Sequence, residues 1–193
     1  MFRGLCLFLA GISSWALALD RATFAGGCFW CMEPPFEKVA GVKDAVSGYA
    51  GGTKDKPKYE EVSAGTTGHT ESVQVIYDSK IVSYEKLLEV FWRSMDPTDS
   101  AGQFVDRGTQ YRPAIFYENK KQKIAAEKSM AELQKSGKFK KPIVVEITKL
   151  MKFFPAEDYH QDFYKKNSVR YHEYRAHSGR DAFLDNVWGK DGH

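Results

Sequence analysis

The chain has 193 residues, 42% hydrophobic, 27% charged and 14% aromatic, with a formal charge of +3 and three cysteines. That length suits one domain, and 16 glycines with 7 prolines exclude collagen-like or low-complexity readings. So small a charge gives no global argument for nucleic-acid binding, and three cysteines are too few for a disulfide scaffold.

Residues 1–18 open Met1-Phe2-Arg3, run apolar over 4–12 and end Ala16-Leu17-Ala18. An early positive charge, an apolar run short of the roughly 20 residues of a spanning helix, and an A-x-A end predict a secretory signal peptide. Cleavage after Ala18 discards Cys6 and leaves a periplasmic or secreted protein with only Cys28 and Cys31. Residues 19–193 carry no repeat or linker and read as a single domain without stable membrane association, its C-terminal tail starting near 165.

In chain order, residues 22–25 form a short apolar strand running into Gly26-Gly27, and a helix starts near Cys28. Pro34-Pro35 must fall in its first turn or break it. Residues 42–49 are strand-like, 51–58 turn-rich, and 71–77 alternate with Val73, Val75 and Tyr77 on one face. Tyr84, Leu87, Leu88, Phe91, Trp92 and Met95 keep helical spacing, and 113–117 is a strand. Residues 120–141 hold eight lysines and two glutamates, with Ala126, Met130 and Leu133 on one helical face; a solvated helix is expected, and a docking surface for an acidic partner is the alternative. A strand over 143–147 precedes an aromatic stretch with little periodicity. The pattern predicts an α+β fold: a two-layer sandwich with a ferredoxin-like core of mixed sheet, two main helices, and a long irregular C-terminal tail with short helices.

The segment Gly26-Gly27-Cys28-Phe29-Trp30-Cys31 puts a thiol where a strand turns into a helix. Free N–H groups at a helix start favour an anion, so Cys28 is expected to have a lowered pKa. Cys31 lies one turn on, close enough to bond. Four readings are open: a structural disulfide, which gains little from so short a loop; a thioredoxin-like dithiol oxidoreductase; a zinc site recruiting His172 and His177; and a nucleophile with an attached resolving thiol.

The run Gly27-Cys28-Phe29-Trp30-Cys31-Met32-Glu33 resembles the active-site signature of the methionine sulfoxide reductases of type A. Gly48-Tyr49-Ala50-Gly51-Gly52, Tyr59-Glu60-Glu61-Val62, Gly68-His69-Thr70-Glu71, Asp96-Pro97-Thr98, Gly108-Thr109-Gln110-Tyr111-Arg112 and Ala156-Glu157-Asp158-Tyr159-His160-Gln161 follow in the family's order, so that the likeness covers about 22–164. It implies reduction of methionine S-sulfoxide, free or in proteins, with no bound cofactor and no metal. The electrons would come from an external dithiol reductant, thioredoxin or a thioredoxin-like protein, and the enzyme is expected to be a monomer.

Such chemistry needs a nucleophile, an acid for the departing oxygen and a pocket for the S-methyl group. Cys28 suits the first role, leaving as a sulfenic acid that Cys31 would close to a disulfide. Glu71 shares the strand parity of Val73, Val75 and Tyr77, so a desolvated carboxyl with a raised pKa is expected there. The resemblance matches it to the proton donor. By the same resemblance Tyr59 and Tyr111 are the two hydroxyls at the sulfoxide oxygen, Asp106 orients substrate or a water, and Phe29 and Trp30 form the apolar pocket. His69, His160 and Gln161 take supporting roles. Many relatives carry glycine where Cys31 stands and recycle through C-terminal cysteines, and 167–193 has none. Pro113 replaces a serine that often follows Tyr-Arg, and that proline before a strand is what best supports the thioredoxin-like alternative. A module that binds methionine-rich peptides without chemistry is the third class.

Overall fold

The computed structural model describes residues 19–190; the expected signal peptide lies outside them. Strand β1 (Asp20–Ala25) is buried from Ala22 onward. It feeds helix α1 (Phe29–Glu37), strand β2 (Val42–Ala50), the short helix α2 (Tyr59–Ser63), strand β3 (Thr70–Tyr77) and helix α3 (Tyr84–Trp92). Two-residue strands β4 (Gly102–Gln103) and β5 (Asp106–Arg107) pair with each other, before strand β6 (Ala114–Tyr117) and helix α4 (Lys120–Lys135). Strands β7 (Glu146–Lys149) and β8 (Phe153–Pro155) lead into helices α5 (Phe163–Lys166), α6 (Ser168–His177) and α7 (Arg180–Trp188).

The main sheet runs β7-β6-β1-β3-β2-β8. Its inner strands β6-β1-β3-β2 pair antiparallel, with α1 joining β1 to β2 and α3 joining β3 to β6: a ferredoxin-like β-α-β-β-α-β core. Only β7 pairs parallel, which makes the sheet mixed. Helices α1 and α3 bury their apolar sides on one face, where Phe24 of β1 stacks on Phe36 at 5.1 Å and on Phe91 at 5.2 Å. Leu87, Leu88 and Phe91 are fully buried, as their spacing predicts, and the Ser83 side chain caps α3 by accepting the Lys86 N–H at 3.2 Å.

Three expectations are corrected. Pro34 and Pro35 sit in the second turn of α1 without breaking it. The cost is two lost N–H donors, and the Cys31 carbonyl freed by Pro35 is taken by Arg175 Nη1 at 3.5 Å. Helix α4 stops at Lys135 rather than continuing to 141, because Gly137 turns left-handed (φ 67°) and Phe139 folds in against Phe183 and Trp188. The strand expected over 143–147 begins only at Glu146, since Val144 N–H is engaged by the Pro97 carbonyl at 2.9 Å. The tail carries the expected short helices. After β8 joins the sheet edge beside β2, most of the remainder is helical, and Tyr171, Arg180 and Leu184 are buried.

Candidate active site

Strand β1 delivers the chain to Gly26-Gly27, where Gly27 has φ +85° and an added Cβ would stand 2.5 Å from Gln103 Cβ. Only glycine fits that turn. Cys28 follows as the N-cap of α1, and its carbonyl accepts the Cys31 N–H at 3.0 Å. Both thiols are free and nearly buried, Cys28 at 7% exposure and Cys31 at 1%.

Glu71 lies opposite Tyr49 in the β2–β3 register and points to the helix-covered face, as its parity predicts. Its Oε2 accepts the Phe29 N–H at 3.0 Å, beside Cys28. Tyr59 opens α2, its N–H donated to Glu157 Oε1 at 3.0 Å, while Glu157 Oε2 accepts the Tyr49 hydroxyl at 2.8 Å. Tyr111 ends a 3₁₀ turn, Thr109–Tyr111. The two tyrosine loops are tied together: Gln110 Nε2 donates to the Ser63 carbonyl at 2.9 Å, and Thr70 Oγ1 lies 3.1 Å from the carbonyls of both Gln110 and Arg112. Asp106, in β5, accepts the Tyr174 hydroxyl. Tyr59 and Tyr111 both lie within electrostatic reach of Glu71 and Cys28, and Tyr111 also of Asp106.

Trp30 is half-buried, stacked on Phe163 at 3.7 Å and held by its indole N–H donating to His160 Nδ1 at 3.1 Å. Phe29 is 1% exposed and backs this wall against His160 and Tyr49. His160 in turn packs on Tyr59, ring centroids 4.3 Å apart and tilted by 50°. His69 serves the loop instead: its ring accepts the Gly52 N–H at 3.0 Å and bonds the Lys54 carbonyl at 2.7 Å. The thiols do not meet His172 or His177, which are exposed. Among the described residues the group with metal-ligand spacing is Glu33, Glu37 and Asp162, where Lys165 already pairs with two of the three at 2.6 and 2.7 Å.

A family model described as peptide methionine sulfoxide reductase matches residues 20–192. The chain belongs to that family. The peptide methionine sulfoxide reductase MsrA of Listeria monocytogenes is 58% identical over 171 residues, 89% of this chain and 97% of that protein. Among solved structures, reduced Mxr1 from Saccharomyces cerevisiae is 34% identical with a TM-score of 0.73, covering 78% of this chain and 86% of that one. Methionine sulfoxide reductase A of Corynebacterium diphtheriae is 31% identical with a TM-score of 0.71, covering 80% and 78%. The protein is therefore an oxidoreductase acting on methionine sulfoxide. The thioredoxin-like reading falls with the fold, in which the strands on both sides of β1 run antiparallel to it.

Within this reductase the site is tuned by burial. Desolvation lifts Glu71 to about 8 against the opposing Phe29 bond, so the carboxyl holds a proton at neutral pH. Desolvation likewise raises Tyr59 to about 12 and Tyr111 further, which keeps both phenols as neutral donors. The lowered pKa expected of Cys28 is corrected. Burial, the hydrogen bond with Cys31 and the neighbouring Glu71 hold its thiol well above the ordinary range. The first free N–H of the helix goes to Glu71, not to the sulfur. Cys31 is the lower of the two, at about 7, through the bond from Cys28 and then the charges of Arg180 and Arg175, opposed by burial.

Sequence reasoning missed Tyr174, Arg175 and Arg180, which lie in a tail without periodicity, and Glu33, whose side chain is 1% exposed. Glu33 had a signal. It is a carboxylate on the apolar side of α1, beside Met32 and Phe36.

Proposed function

We propose that this reductase acts on the S epimer of methionine sulfoxide, free or in oxidised exported proteins, as a monomer with no bound cofactor. The observation that carries the reading is the buried, protonated Glu71 beside the Cys28 turn, with the Tyr59 and Tyr111 phenols in its field. Trp30, backed by Phe29, receives the S-methyl group, since an aromatic wall suits a polarisable thioether. Tyr59 and Tyr111 donate to the sulfoxide oxygen as it gains negative character. Glu71 gives that oxygen a proton while the Cys28 sulfur attacks, and the Cys28 thiol proton returns to the carboxylate. The sulfoxide sulfur gains two electrons and leaves as a thioether, and Cys28 becomes a sulfenic acid. Cys31 then closes a disulfide with release of water, and a thioredoxin-like dithiol reopens it by exchange. Asp106 orients substrate or a water beside Tyr111.

Export follows from residues 1–18, and cleavage after Ala18 fits the start of β1 at Asp20. No helix among the described residues is long and apolar enough to cross a membrane. The test offers the exported protein, expected to begin at Leu19, each sulfoxide epimer with dithiothreitol. Turnover of S but not R is expected, with one equivalent of methionine released by Cys31→Ser when a protein reductant replaces dithiothreitol. Turnover of R alone, or normal cycling of that variant with a protein reductant, overturns the reading.

A further inference from the structure

Helices α6 and α7 carry two arginines to the underside of the Cys28–Cys31 turn, where the sulfoxide-reducing step gives them no part. Arg180 opens α7 and is 1% exposed. Its Nη1 donates to the Ser94 carbonyl and lies 3.7 Å from Met32 Sδ, and its Nη2 donates to the Gly26 carbonyl at 3.1 Å. A Cβ on Gly27 would stand 3.0 Å from that same Nη2. The guanidinium is thus wedged against the turn that presents the nucleophile. Its partners are two carbonyls, a thioether and the face of the Phe104 ring, 4.7 Å from Cζ, and its Nε finds no hydrogen-bond partner. These are neutral groups, and a buried charge is costly unless an anion answers it. Asp106 lies in its field, where Arg180 opposes the burial that raises that carboxyl, but the hydrogen-bond partner of Asp106 is the Tyr174 hydroxyl and not the guanidinium.

Arg175 lies on the other side. Its Nη1 reaches the Cys31 carbonyl at 3.5 Å and the Tyr171 hydroxyl at 3.3 Å, while Nε and Nη2 hold Asp181 at 2.8 and 2.7 Å. Cys31 itself packs against Tyr171 and Phe163.

We propose that Arg180, together with Arg175, supplies the counter-charge for the Cys31 thiolate in the resolving step, so that the C-terminal helices govern disulfide closure. The inference rests on the reductase reading with Cys31 as the resolving thiol. In that step the Cys31 thiolate attacks the sulfur of Cys28 sulfenic acid. An S–S bond forms, the S–O bond breaks with its electron pair, and the hydroxide takes a proton from Glu71 to leave as water. The proton first lost by Cys31 restores that balance, and no further oxidant or reductant is needed. Both arginines act through Cys31, not on the substrate. The other titratable groups facing Cys31 are the Cys28 sulfur, Glu71 of β3 and Asp106 of β5, which oppose its ionisation once charged, and the neutral phenols Tyr171 and Tyr174 of α6.

The test mixes reduced protein with one equivalent of methionine S-sulfoxide, quenches at intervals, and follows released methionine and the Cys28–Cys31 disulfide separately. In Arg180→Met the ratio of closure rate to release rate should fall at least tenfold at pH 7, and the pH midpoint of closure should move up by about one unit. Arg180→Lys should recover most of the ratio, and Arg175→Gln should lower it about threefold. An unchanged ratio and midpoint in Arg180→Met overturns the proposal, and so does failure of Arg180→Lys to recover, which makes the residue a clamp on the Gly26 turn only. If Arg180→Met does not fold, Arg175→Gln decides by the same two readouts. Absence of methionine release from the unaltered protein strikes the reductase reading itself and is visible before closure is measured.

Discussion

Glu71 owes its proton to its place in a strand. Alternation in β3 sends residues 71, 73, 75 and 77 to the face that α1 and α3 cover, and at position 71 that face is occupied by a carboxyl. Parity alone made this legible, because a strand offers only two faces. The effect of the same cover on Cys28 was not legible, since the helix-start argument ignores who takes the free N–H, and Glu71 takes it. A prediction follows from the direction of the shift. An acid with its pKa at about 8 is competent below that value and lost above it, so the rate of methionine release at fixed thiol ionisation should fall above about pH 8. Glu71→Gln keeps an acceptor for the Phe29 N–H but no proton to give, and should slow release by about 10²- to 10⁴-fold. Single-turnover release from pH 6 to 9 checks both. A profile that keeps rising through pH 9 would remove Glu71 from the acid's role.

At the scale of elements, the segment from β8 to α5 binds the catalytic helix to the sheet. Gln161 accepts the Ser47 N–H and donates to the Ser47 and Ala156 carbonyls, each at 2.9 Å. One residue earlier His160 holds Trp30, and one later the Asp162 N–H reaches Glu33 at 2.8 Å. Gln161→Ala strands the Ser47 N–H and the Ala156 carbonyl at once, while the Ser47 carbonyl keeps the Ala156 N–H, and should cost about 2 kcal/mol. Urea unfolding followed by tryptophan fluorescence measures it, and a loss under about 0.5 kcal/mol would mean that this segment does not bind β2. Elements with a one-sided apolar pattern, such as α3, could be read from spacing. Helix α6 could not, because only Tyr171 of its ten residues is buried. The end of α4 and the start of β7 escaped for a different reason: Phe139 and Val144 are drawn to partners distant in sequence, Phe183 and Pro97, which no local pattern encodes.

Across the whole molecule, Glu33 links helix, sheet and tail, and it makes stability depend on pH. Its Oε2 accepts the Ser47 hydroxyl at 2.6 Å and its Oε1 the Asp162 N–H at 2.8 Å, yet burial outweighs both and, with Glu37 and Asp162 nearby, lifts it to about 7 from 4.5. The folded state therefore binds a proton more tightly than the unfolded chain does. Below pH 4.5 both states are protonated and nothing is lost; between 4.5 and about 7 the unfolded chain ionises first, so this contribution to stability falls as pH rises; above about 7 it stays lost. Other groups titrate in the same range, His160 and Cys31 with the opposite sign, so the comparison must isolate the one carboxyl. Glu33→Gln cannot ionise and keeps an oxygen for the Asp162 N–H. Relative to the unaltered protein, its stability should gain a few kcal/mol on going from pH 5 to pH 8, which raises its relative melting temperature by on the order of 5–10 °C. Calorimetry on the reduced proteins at both pH values gives that difference directly. A difference that does not change with pH would mean that Glu33 is already ionised in the fold, and that the charge is carried by its two hydrogen bonds.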